Sequence, residues 1–203
     1  MELDHIAISA LTRAAATAHV EDTLGVSLQQ GGEHAVFHTH NMLLGLEDGL
    51  YLEAISTNPD APRPGRPRWF DLDRFDGPPR FSNWICRCAD LEATLSVLPD
   101  AFGKPVSLQR GDLRWRMAVP ANGILPFDGC APALMQWDGD AHPAARLTPS
   151  RCRLTALQVA HPEAEALAML LAPHLQDARV SFDSGPARLV ARFDTPTGER
   201  VLV

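Results

Sequence analysis

The sequence predicts an α+β fold of repeated βαβββ modules, each built from one helix and a small curved sheet. Three observations carry this. The order strand, helix, strand, strand, strand recurs three times along 203 residues, with a period of about 50 to 60 residues. Asp48-Gly49 stands between two apolar runs and marks a hairpin. Glycines stop the first two helices, and a proline-rich stretch separates the first module from the second.

In the first module, Leu3 to Ser9 alternates as a strand, with Ile6 and Ile8 on one face and His5, Ala7 and Ser9 on the other. Leu11 to Leu24 reads as a helix, with Thr12 as N-cap and Gly25 as C-cap. Val26-Ser27-Leu28 begins a strand that Gly31-Gly32 breaks. His40 to Leu46 and Leu50 to Ile55 form the hairpin, with Glu47-Asp48-Gly49 as its turn. Tyr51, Glu53 and Ile55 share one face of the last strand. A carboxylate there must meet a partner or face water.

Residues 57–80 form a linker rich in proline, arginine and aspartate, with Trp69-Phe70 positioned to pin it to the core. The second module follows. Phe81 to Cys88 is a strand, Asp90 to Phe102 a helix stopped by Gly103, and Val106 to Leu108 and Leu113 to Val119 are strands around Arg110-Gly111-Asp112. Ala131 to Trp137 is the fourth strand, starting near Ala133 because of Pro132. In the third module, Cys152 to Ala160 is a strand and Pro162 to Leu175 a helix. The strands Val180 to Phe182, Ala187 to Phe193 and Glu199 to Val203 complete it.

Composition bounds the function. The formal charge of -7 argues against nucleic acid and anionic membranes as partners. No apolar run approaches the roughly 18 residues that span a bilayer, and the acidic N-terminus does not read as a signal peptide, so none is expected. Cys86, Cys88, Cys130 and Cys152 include no C-x-x-C pair, so free buried thiols in a reducing cytoplasm are expected. No phosphate loop, serine elbow or H-E-x-x-H is present.

Leu3-Asp4-His5-Ile6, Leu24-Gly25-Val26, Thr39-His40-Asn41 and Tyr51-Leu52-Glu53 resemble the first module of the glyoxalase-like branch of the vicinal-oxygen-chelate superfamily. Leu134 to Asp138, followed by His142-Pro143, resembles its second. The resemblance implies a curved, cup-shaped mixed sheet with helices outside. It implies paired modules at 1–56 and 81–138 and a third module at 152–203 packed on, or extending, the same sheet. It implies metal ligands from the first and fourth strands of each module. Carried over, these are His5 and Glu53 in the first module, Trp84 and Gln136 in the second, and Ala156 in the third.

His5 and Glu53 are thus the expected catalytic pair, holding a divalent ion (zinc, manganese, iron or nickel) or exchanging protons. His40, Asn41, Trp84, Trp115, Gln136 and His142 are the expected substrate-binding residues. His34 and His38 read as solvated, and Arg114 and Arg116 as solvent-facing. The implied activity is that of a lyase, isomerase or dioxygenase on a small carbonyl or aromatic molecule, in a cytoplasmic protein that forms a homodimer. The alternative is a metal-free protein that sequesters a small-molecule ligand.

Overall fold

The computed structural model describes residues 1–203. The first module comprises β1 (Glu2–Ser9), α1 (Arg13–Leu24), β2 (Gln29–His34), β3 (Thr39–Gly45) and β4 (Tyr51–Thr57). The second comprises β5 (Arg80–Arg87), α2 (Leu91–Leu95), β6 (Lys104–Arg110), β7 (Leu113–Val119) and β8 (Ala133–Trp137). Their strands join in one curled eight-stranded sheet, ordered β2-β3-β4-β1-β5-β8-β7-β6. The central pair, β1 and β5, is antiparallel, and each runs parallel to the fourth strand of its own module. The two halves are therefore wired alike about the centre, and the edges β2 and β6 curl toward each other.

Local chemistry accounts for most of these elements. Thr12 caps α1 by accepting from the Ala15 amide at 3.1 Å, and Gly25 ends the helix at φ 70°. The hairpin closes through Asp48 and Gly49, both at positive φ. Asp90 caps α2, but that helix stops at Leu95, short of the expected Phe102. Pro99 lacks an amide proton and disfavours helical geometry before it, so only a 3-10 turn at Asp100–Phe102 follows.

β2 starts later than expected and runs through Gly31-Gly32, where its register with β3 slips. A side chain at Gly31 would meet Asn41 Oδ1 at 2.1 Å, so only glycine lets the two strands approach.

The third module comprises β9 (Arg153–Ala160), α3 (Ala164–Leu171), β10 (Val180–Asp183), β11 (Arg188–Thr195) and β12 (Gly198–Leu202). Its strands do not extend the first sheet. They form a separate four-stranded sheet, ordered β10-β9-β11-β12, in which β10 pairs directly and in parallel with β9. Leu154, Leu157, Val159, Leu189 and Phe193 enter the same core cluster as Ile6, Ile8, Leu52, Trp84 and Cys86. The two sheets are thus held by apolar burial, which needs no shared hydrogen-bond ladder. All four cysteines are buried and free. No helix is long and apolar enough to cross a membrane.

Candidate active site

The cup-facing side of the first module is polar. Alternation alone would place Asp4 and His5 on opposite faces of β1. The register slips between Leu3 and His5, and this irregularity makes room for both side chains to meet. Asp4 Oδ1 accepts from His5 Nδ1 at 2.6 Å. The other Asp4 oxygen accepts from Trp137 Nε1 and His142 Nε2, each at 3.0 Å. His142 Nδ1 accepts the Ala144 amide, which fixes the proton on Nε2.

The other edge of the His5 ring faces Glu53, whose Oε1 lies 3.7 Å from Nε2. Asn41 Nδ2 donates to Glu53 Oε2 at 2.7 Å, while Asn41 Oδ1 accepts from the Gly32 amide and from Arg110 across the seam between modules. Tyr51 stacks on His5 with ring centroids 4.3 Å apart.

Burial and pairing compete at each of these groups. Burial alone would raise the Asp4 carboxyl, but hydrogen bonds from His142 and His5 hold it well below the usual carboxylate range. Burial would likewise raise Glu53, and the His5 contact reverses this. Burial would strip the proton from His5, and the two flanking carboxylates raise its affinity instead. The protonated form of His5 is therefore favoured, with a carboxylate at either edge of its ring. His34, expected in solvent but buried nearby against Trp69 and Trp115, is lowered to about 4, because burial outweighs the attraction of Glu53.

A chamber of about 20 Å³ remains among His5, Glu53, Tyr51 and Arg110, walled by Trp69, Phe70, Trp115 and Trp137. Trp69 and Phe70 come from the linker and plug the cup, as the sequence suggested for a pin. The plug is strained and tightly seated. Phe70 and Asp71 adopt φ of 58° and 55° without being glycine. The Asp71 amide donates to Gly123 O, and a Cβ on Gly123 would meet Arg68 O at 1.9 Å. The Trp69 indole N–H is buried without an acceptor.

The structure brings His5, Glu53, Asn41, Trp115 and His142 together and leaves three expected residues outside. Trp84 lies on the opposite face of β5, fully buried, donating to Cys130 O and packing near Phe182 of the third module. The register sets His5 against Ile85 and Ile6 against Trp84, so the carry-over of the His5 position onto Trp84 was one residue out, and one residue changes the face. Gln136 also turns away from the cup. It accepts from the Leu91 amide and Arg116, tying α2 down. Arg116 is paired with Glu92, while Arg114 is exposed. His40 faces α1 and bonds Ser56 at 3.0 Å. Asp4, Tyr51, Arg110 and Trp137 belong to the site and were not named as candidates from sequence, and His34, expected in solvent, is 4% exposed beside it. Asp4 and Tyr51 each lie within two residues of a named candidate, which is the signal that could have found them.

Metal binding can be tested on the donors. The first module offers His5 Nε2 and Glu53 Oε1. The matching strands of the second present Asn83, Ile85, Ala133 and Met135 to the cup. No group of three or more His, Cys, Asp or Glu side chains is placed to hold an ion. Zinc or manganese sites draw on more protein ligands than these two, so this donor set does not fit a resident divalent ion.

The fold recurs in solved structures. A hypothetical protein from Staphylococcus aureus aligns over 98% of this chain and 84% of its own, at 13% identity and a TM-score of 0.59. A Mn(II)-bound glyoxalase from Novosphingobium aromaticivorans aligns over 98% of this chain and 81% of its own, at 9% identity and a TM-score of 0.51. At these identities the likeness is one of fold. No curated protein matches the sequence. The Glyoxalase-like domain family matches residues 3–175, spanning both cup modules and the start of the third, and the chain belongs to that family.

Proposed function

We propose that the protein is a glyoxalase-like acid–base enzyme that moves a proton on a small carbonyl compound, such as an α-hydroxyketone or α-dicarbonyl, without a resident metal. The observation that carries this is the Asp4–His5–Glu53 line, with Nδ1 anchored at 2.6 Å and Nε2 facing a carboxylate at 3.7 Å. In the forward step Glu53 takes the proton from the carbon beside the carbonyl, and His5 Nε2–H protonates the carbonyl oxygen. The products are an enol, neutral imidazole and a protonated Glu53, so charge and protons balance. As His5 gives up its proton, the hold that lowers Glu53 weakens and its basicity rises. For an α-hydroxyketone, Glu53 then gives its proton to the former carbonyl carbon while neutral His5 takes the hydroxyl proton from the adjacent carbon, which completes an isomerisation and restores both groups. The unpaired Trp69 N–H is a donor for substrate oxygen.

The test is exchange of substrate C–H for C–D in heavy water, followed by NMR over a panel of such carbonyl compounds with chelator present. Exchange that survives chelation and falls by about 10² or more in His5→Gln and Glu53→Gln supports the reading. Absence of exchange across the panel, or its loss on chelation, overturns it. A second reading, a metal-free binding protein, is favoured by the aromatic plug of Trp69, Phe70 and Trp115, which suits stacking on a planar ligand.

A further inference from the structure

A second, larger cavity of about 440 Å³ opens where the start of β5 meets the linker and the turn between β10 and β11. Its size is that of a small-molecule site. With Trp69 and Phe70 seated as they are, the chamber at His5 has room for about one water molecule, so a substrate reaches His5 only when the plug shifts. Phe70 lines both spaces and forms the wall between them.

The chemistry of the larger cavity is divided. Phe75, Phe81 and Leu189 give it an apolar side. Arg80 and Arg188 give it two cations, neither of which makes an ion pair; the Arg80 guanidinium lies 4.0 Å over the Phe75 ring. The carboxylates on the rim are already engaged, Asp71 by Arg74 through two hydrogen bonds and Asp128 by His161 at 3.2 Å. Asn83 lies in the wall, 3% exposed, and its Oδ1 has no hydrogen-bond partner.

We propose that this cavity binds an amphipathic organic anion, with its apolar body on Phe75, Phe81 and Leu189 and its carboxylate between Arg80 and Arg188. Arginine suits this role because its planar fork pairs with a carboxylate through two bonds. Placement beside Phe70 gives the same molecule a path to His5 when the plug shifts, and this last link alone rests on the acid–base reading. The carbonyl substrate would then be an oxo or hydroxy acid with a long apolar chain.

The experiment is a fluorescence titration of the whole chain with anilinonaphthalene sulfonate, an aromatic anion, followed by displacement with decanoate and with decanol. Saturable binding of one dye per chain is expected, with decanoate displacing it at lower concentration than decanol. Arg188→Glu should weaken decanoate by roughly tenfold or more, the loss expected for a charge-assisted pair. Ala187→Trp, a filling change at an exposed position in the cavity rim, should abolish displacement. His5→Ala should leave binding intact, which keeps this result separate from the exchange assay. The proposal is overturned by unsaturable binding, by equal displacement with decanol, by unchanged affinity in Arg188→Glu and Ala187→Trp, or by loss of binding in His5→Ala.

Discussion

The first and second modules share one wiring, yet they present different chemistry to the cup between them. The first shows Asp4 with His5 and Asn41 with Glu53, each pair joined by a short hydrogen bond, and Tyr51 stacked on His5. The second shows Ile85, Trp115, Met117, Ala133 and Met135, which pack in one cluster with Trp69 and Phe70. Repetition of the fold thus did not repeat the site. In the proposed reaction the polar half moves the protons. The apolar half serves as a wall that excludes water and strengthens the electrostatics opposite it.

The comparison is most sharply tested in the second module. Met135→Ala is expected to cost about 2 to 5 kcal/mol, the usual penalty for emptying a core site, and to lower exchange per folded molecule far less than His5→Gln does. Trp84→Ala should cost about 3 to 5 kcal/mol and also leave the site chemistry untouched, because Trp84 lies between the two sheets. Denaturant midpoints check both, and a loss of exchange in either variant as large as that in His5→Gln would break the division of labour.

Next comes pH. The His34 pKa is lowered to about 4 in the folded chain against 6.5 in the unfolded one. The unfolded state therefore binds more protons between those values, and stability falls as pH drops through that window, by on the order of 3 kcal/mol. His34→Gln should flatten this slope in urea melts taken from pH 7 to pH 4. His5 has the opposite sign. Its affinity is raised in the fold, so its contribution is complete below pH 6.5 and is lost as pH rises through the folded value. A His5→Gln chain that keeps the alkaline decline would show that the carboxylates do not hold the proton.

Asp4→Asn should cost about 1 to 3 kcal/mol, because an amide turns a donor toward one of three donors. It should also shift the pH profile of exchange to lower pH by removing one charge that supports His5. The smallest effect is outside the cup: Thr12→Ala should cost about 1 kcal/mol through the lost helix cap and leave the pH profile unchanged.

Much of the fold follows from local signals. The hairpin around Asp48-Gly49, the caps at Thr12, Gly25 and Asp90, and the shared faces of His5 with Ala7 and of Tyr51 with Glu53 are properties of short segments. Such segments carry their own turn chemistry and period-two alternation, so His5 and Glu53 were legible as candidates before any tertiary contact, while Asn41 entered through the family resemblance.

Four features came only with the tertiary structure. The face on which Trp84 lies depends on the register of β5 against β1, a pairing between segments some eighty residues apart, and a slip of one residue reverses it. The β1 irregularity that lets Asp4 reach His5 exists only in that pairing. The third module repeats the order of elements but not their pairing, because element order does not specify which strand lies beside which. The plug of Trp69 and Phe70 is set by contact with Gly123, where two distant backbones approach too closely for any side chain. Alternation and turns act within a few residues and are written in the sequence directly; register, sheet pairing and close approach are settled only where distant segments meet.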